Sequence, residues 1–220
     1  MSKNTITNYI FDFDGTLADT QTVIFQSWVL TCEQLSLPII SLSQIRSMMG
    51  WSLIKIAQTI AKSEDVDIVQ NLILTYRKNY QIICNAESSP IKLFDGTVEM
   101  LQNLKDSGKT LFVVSAKPSQ TLNLTLEQLE IKKFFVEIIG ADDVIFTKPN
   151  PEAIETLISK YNLIKSETII IGDALVDIQM GQNAKVKTCG VTWGATDPEI
   201  IATFGADWVA DSVAEIGNNS

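Results

Sequence analysis

The alternation of apolar and polar positions divides the chain into two kinds of segment. Short apolar runs rich in β-branched and aromatic residues occur at "NYIFDF" (8–13), "TLFVVSA" (110–116), "ETIIIGD" (167–173) and "AKVKTCGVTW" (184–193). Their length and composition predict buried strands. Helical patterns at Ser119–Glu130, Pro151–Tyr161 and Leu175–Ala184 lie between the later runs. "FVEIIGADD" (135–143) offers a further strand and "DWVADS" (207–212) a final edge element. Strands that alternate with helices predict an α/β fold: a Rossmann-like parallel sheet with helices on both faces.

The stretch from Asp19 to Pro90 breaks this rhythm. It holds a single glycine, Gly50, and no convincing strand, and helical periodicity runs through "TVIFQSWVLTCEQL", "SLSQIRSMM", "SLIKIAQTIA" and "VDIVQNLILTYRKNYQIIC". The expected organisation is therefore an α/β core formed by residues 1–18 and 91–220, with an α-helical subdomain at 19–90 inserted after the first strand. "CNAESSPIKLFDG" reads as the return linker.

Composition narrows the chemistry. Of 220 residues, 45% are hydrophobic and 20% charged, enough for a real core. A net charge of −9 argues against nucleic acid or an anionic membrane as partner. No apolar run approaches a membrane span and no signal-type apolar region precedes the first acids, so a cytoplasmic protein is expected. Cys32, Cys84 and Cys189 are scattered without metal-type spacing, which predicts free thiols. Histidine is absent, which removes every mechanism built on a histidine base, nucleophile or ligand.

In open α/β sheets the site lies outside the carboxyl ends of the strands. The first predicted strand delivers Asp12, Asp14 and Thr16 there, and the second Ser115, Ala116 and Lys117. The segment after 135–139 brings Lys148, and the strand ending near 171 brings Asp173 and Asp177. At an extended strand end Asp12 and Asp14 point to the same side. Two such carboxylates repel unless a cation lies between them. Alone, Asp-x-Asp-Gly is equally a turn, and Ser115 a helix cap. Together, converging acids without histidine suit Mg²⁺, which takes oxygen ligands, with Lys148 as compensating charge.

"DFDGTLAD", "VVSAKPS", "KPNP" and "GDALVD", in that order and at these separations, resemble the four-motif series of the haloacid dehalogenase-like hydrolase superfamily. The resemblance covers nearly the whole chain and matches members with a helical cap after the first motif. It implies that Asp12 is the nucleophile attacking phosphorus and that Asp14 is the acid and then base. It also implies that Ser115 and Lys148 hold the transferred phosphoryl group. Mg²⁺ would be bound by Asp173, an Asp12 carboxylate oxygen and the Asp14 backbone carbonyl, with Asp177 supporting from behind. The implied activity is hydrolysis of a small phosphorylated metabolite. The nearest resemblance is to phosphoglycolate phosphatase-like proteins, with pyrophosphatase, sugar-phosphate phosphatase and phosphomutase as alternatives on the same fold and a non-catalytic phosphate binder as a further one.

Within the cap, "MGWSLIKIA" resembles the loop that approaches substrate, making Gly50, Trp51, Ser52 and Lys55 specificity candidates. Mutase-like members carry a histidine near the position of Ile24. Ala116 stands where many relatives have an asparagine, and Thr147 where they often have glycine. Asp19, where the chain leaves for the cap, is expected to serve a hinge or cap. The assembly is expected to be a monomer or a homodimer.

Overall fold

The computed structural model describes residues 5–84 and 90–216. In chain order the first elements are β1 (Asn8–Phe11), β2 (Ala18–Asp19), α1 (Gln21–Gln34), α2 (Leu42–Met48), α3 (Leu53–Ala61) and α4 (Val66–Cys84). There follow β3 (Lys92–Leu93), α5 (Thr97–Asp106), β4 (Thr110–Val114), α6 (Ser119–Gln128) and β5 (Glu137–Ile139). The chain continues through α7 (Glu152–Tyr161), β6 (Thr168–Gly172), α8 (Leu175–Ala184), β7 (Lys187–Val191), α9 (Pro198–Ile201) and β8 (Trp208–Ala210).

A parallel sheet runs in the order β5-β4-β1-β6-β7-β8. Successive side chains of a strand point to opposite faces, and here both faces are apolar because both are covered. Tyr9, Phe11, Leu111 and Val113 pack with Leu101 and Leu104 of α5 and with Leu122 and Leu126 of α6. Ile10, Phe112 and Ile170 pack on the opposite face with Ile154 and Leu157 of α7 and with Met180 and Ala184 of α8. Burial on two sides explains why these strands read as continuous apolar runs. The candidate at 135–143 contributes the short β5, and the one at 207–212 the edge strand β8. The strand drawn from Ala184 starts only at Lys187, because α8 extends through Ala184.

The four helices α1–α4 lie in sequence between β2 and β3. The Trp28 and Tyr76 rings stack at 4.3 Å between α1 and α4, and buried Asn79 Nδ2 donates to Thr31 Oγ1 at 3.1 Å. The stretch carries one strand that the pattern did not reveal at its very start: Ala18 and Asp19 pair antiparallel with Leu93 and Lys92. This two-strand ribbon joins the chain leaving for the helices to the chain coming back. Asp19 Oδ1 accepts the Gln21 N–H at 3.1 Å just before α1, whose N-cap residue, Thr20, makes no side-chain cap hydrogen bond. Residues 85–89 of the expected return linker lie outside the described residues.

Candidate active site

The hydrogen-bond ladder continues one residue past β1, where Asp12 N–H donates to Ile171 O at 2.9 Å. This fixes Asp12, 4% exposed, at the carboxyl end of a central strand. The turn beyond it needs Gly15, whose φ is +84°. A Cβ there would lie 2.4 Å from Asp173 Oδ2, so only glycine leaves room for the β6 acid. One residue past neighbouring β4 lies Ser115, itself buried, whose N–H donates to Ile139 O at 3.0 Å and whose Oγ accepts the Lys117 N–H at 3.2 Å.

Lys148 binds two acids at once. Its Nζ lies 2.7 Å from Asp12 Oδ1 and 2.6 Å from Asp177 Oδ1, and all three side chains are almost wholly buried. Asp177 Oδ2 accepts the Ala174 N–H at 3.1 Å, so both of its oxygens are engaged. Asp173 Oδ2 accepts the Ala195 N–H at 2.8 Å, and Oδ1 accepts the Thr16 hydroxyl at 3.4 Å. Asp12, Asp173 and Asp177 each bring one carboxylate oxygen within 4.8 Å of the others.

Three buried carboxylates against one ammonium leave this cluster short of positive charge, and the proton affinities reflect it. Burial pushes the Asp12 carboxyl well above the usual range; Lys148 pulls it down, while Asp177, Asp173 and Asp14 push it up again. Burial and the charge of Asp177 raise Asp173 from the ordinary 3.8 to about 7, against backbone N–H donors that include Ala195. Burial disfavours the Lys148 ammonium, but Asp12 and Asp177 outweigh it and hold the lysine above its usual range. An all-oxygen, charge-deficient cluster fits a hard divalent cation.

The Asp14 carboxylate stands outside this cluster. It pairs with Lys117, whose Nζ is 3.1 Å from Asp14 Oδ1 and also donates to the Tyr80 hydroxyl of α4 at 3.0 Å. Lys117 is buried, with the Tyr80 ring centroid 4.5 Å from its ammonium. The sequence placed Lys117 at the strand end but gave it no role. Its position beside Ser115 was the available signal; its partner Tyr80 was not readable. Thr16 and Trp193 were likewise unassigned: Thr16 holds Asp173, and Trp193 Nε1 donates to Thr16 O at 3.0 Å.

A cavity of about 230 Å³ opens between this rim and the helices. Asp12, Asp14, Ser115, Ala116 and Lys117 line it from the sheet, and Ile24, Gly50 and Trp51 are among its walls on the helical side. Lys148, Asp173 and Asp177 do not line it; they stand behind Asp12. Gly50, φ +82°, brings its backbone against α8, where a Cβ would lie 2.7 Å from Ala174 Cβ. Ser52 caps α3 by accepting the Lys55 N–H at 3.4 Å, and the Lys55 ammonium lies 4.0 Å over the Trp51 ring. The Thr147 carbonyl accepts the Asn150 N–H at 3.0 Å in a turn.

A parallel sheet that presents acids and a lysine at its carboxyl ends, with helices inserted behind the first strand, is the frame of a hydrolase class the motifs already resembled. The model of that family, haloacid dehalogenase-like hydrolase, matches residues 9–191, and the chain belongs to it. It is 31% identical over 215 residues to pyrophosphatase PpaX of Listeria innocua, covering 96% of this chain and 94% of that one. It is 30% identical over 220 residues to a phosphoglycolate phosphatase of Vibrio parahaemolyticus, covering 98% and 96%. Among solved structures, a haloacid dehalogenase-like family hydrolase from Streptococcus pneumoniae superposes with a TM-score of 0.83 at 25% identity, over 97% of this chain and 98% of that one.

Proposed function

We propose that the chain is a Mg²⁺-dependent phosphatase that hydrolyses a small phosphate ester through an aspartyl phosphate. The observation that carries this reading is the pair of contacts from Lys148 to Asp12 and Asp177. They hold a buried carboxylate, rotationally fixed, in the lining of a cavity large enough for a small ester.

In this reading Asp12 attacks phosphorus with the carboxylate oxygen that Lys148 does not hold, and the ester oxygen departs as an alcohol. Asp14, facing the cavity, gives the leaving oxygen its proton and then takes one from the water that cleaves the aspartyl phosphate. Ser115, also on the cavity wall, donates its hydroxyl to the phosphoryl oxygens. Lys148 keeps Asp12 in its attacking orientation and lowers the charge penalty of an incoming dianion. Asp12 and Asp173 would hold the metal with the Asp14 carbonyl, and Asp177 would steady both Lys148 and the Ala174 turn. When bound, Mg²⁺ supplies charge neutralisation of the transferring group.

The same reading divides the chain into a core of residues 1–18 and 91–220 and a cap of 19–90, with Gly50 and Trp51 contributed to the site by the cap. Ile24 on the cavity wall offers no proton-transfer group, which supports hydrolysis over a mutase reaction. A cytoplasmic location is part of the proposal; among the described residues no helix is long and apolar enough to cross a membrane. The test is turnover of p-nitrophenyl phosphate by the purified protein with Mg²⁺. Turnover that vanishes with EDTA and in Asp12→Asn is the expected result, and activity that survives either change overturns the proposal.

A further inference from the structure

We infer that the preferred substrate is a phosphomonoester with an apolar leaving alcohol, of alkyl or aryl type, rather than one bearing a second anionic group. The inference rests on the phosphatase reading above and concerns what lies on the far side of the scissile bond.

The helical wall of the cavity is mostly apolar: Ile24, Ile45, Met49, Trp51, Leu53 and Ile56 are buried or half-buried there, and Tyr76, Tyr80 and Gln81 of α4 add uncharged polar groups. The only charged side chain that the described helices add to the lining is Arg77, which is exposed. Among the described residues the lining cation on the sheet side is Lys117, already engaged by Asp14 at 3.1 Å and by the Tyr80 hydroxyl at 3.0 Å. Ala116 adds a further small apolar side chain to the lining on the sheet side.

A carboxylate or second phosphoryl group placed against this wall would lose its hydration with only the exposed, solvated Arg77 as a helical cation in the lining, and desolvating an anion without a buried partner is strongly unfavourable. An alkyl or aryl group there gains the ordinary benefit of leaving water. The volume of about 230 Å³ lies below the roughly 300–1,000 Å³ typical of sites for drug-sized ligands. The leaving group is accordingly a short one.

Straight-chain primary alkyl phosphates from methyl to hexyl test this, because their leaving alcohols differ little in intrinsic reactivity. With Mg²⁺ present, kcat/KM should rise about fourfold for each added methylene until the cavity is full. The longer members should be turned over faster than phosphoglycolate or pyrophosphate. Ile24→Asn and Trp51→Ala should each flatten the rise, and the wild-type series stands as a test even if a variant fails to fold. A flat or falling series, or a preference for phosphoglycolate or pyrophosphate, overturns the inference. In that case turnover of p-nitrophenyl phosphate keeps the phosphatase reading intact. No turnover of any ester, p-nitrophenyl phosphate included, overturns both.

Discussion

Lys117 lies 3.1 Å from Asp14 and shares its ammonium with a tyrosine of α4. The end of β1 and the inserted helices are thus joined through one side chain. With Lys117 replaced by methionine, Asp14 keeps its place in the chain but loses the ammonium that stands 3.1 Å from its Oδ1. Residues that orient a reacting group rather than reacting themselves typically account for 10- to 100-fold. We expect kcat/KM on p-nitrophenyl phosphate to fall by about that factor in Lys117→Met and to recover in part in Lys117→Arg. Unchanged kinetics in the methionine variant would remove Lys117 from the mechanism.

Asp12→Asn should lower kcat by roughly a thousandfold or more, as loss of a nucleophile does. The fold should survive, because Lys148 retains Asp177 at 2.6 Å. Rapid-quench detection of a phosphorylated protein in the wild type, and its absence in the variant, checks the same assignment independently of rate.

Lys148→Met should destabilise the protein by about 3–5 kcal/mol, the cost of stranding buried charges without their partner. Both Asp12 and Asp177 lose their counter-ion in this variant. Urea unfolding gives the measurement. Adding Asp177→Asn to the same chain should return part of the loss, since one of the two stranded charges is then gone.

The pH dependence of stability has a definite sign. Asp173 titrates near 7 in the folded protein against an ordinary value of 3.8. Between those values the folded state keeps a proton that the unfolded chain has released, so stability falls as pH rises from about 4 to about 7. In EDTA the wild type should therefore lose melting temperature relative to Asp173→Asn as pH is raised across that window. Mg²⁺ should raise the wild-type melting temperature more at pH 8 than at pH 5. A wild type that gains on the variant with rising pH would contradict the assignment.

Much of the site was readable because its residues sit at strand ends. The apolar runs at 8–13, 110–116 and 167–173 locate the carboxyl rim. The parallel sheet then brings Asp12, Ser115 and Asp173 together without any knowledge of side-chain contacts. Three things escaped the pattern. The ribbon of Ala18–Asp19 with Lys92–Leu93 is too short to leave a periodic signature. Lys117 looked like an ordinary strand-end lysine because its meaning depends on Tyr80, which lies on another element. The division between residues lining the cavity and residues behind it, with Lys148 in the second group, follows from rotamers and packing that spacing does not encode.

The ribbon has a consequence for the segment that lies between its two strands. Departing and returning strands are paired neighbours, so the two junctions of the inserted helices stand about one strand spacing, roughly 4.8 Å, apart. A segment spliced in at that point needs only to begin and end side by side. Asp12 and Asp173 follow strands of the large sheet, outside this paired stem, so their placement does not depend on the length of chain between Asp19 and Lys92.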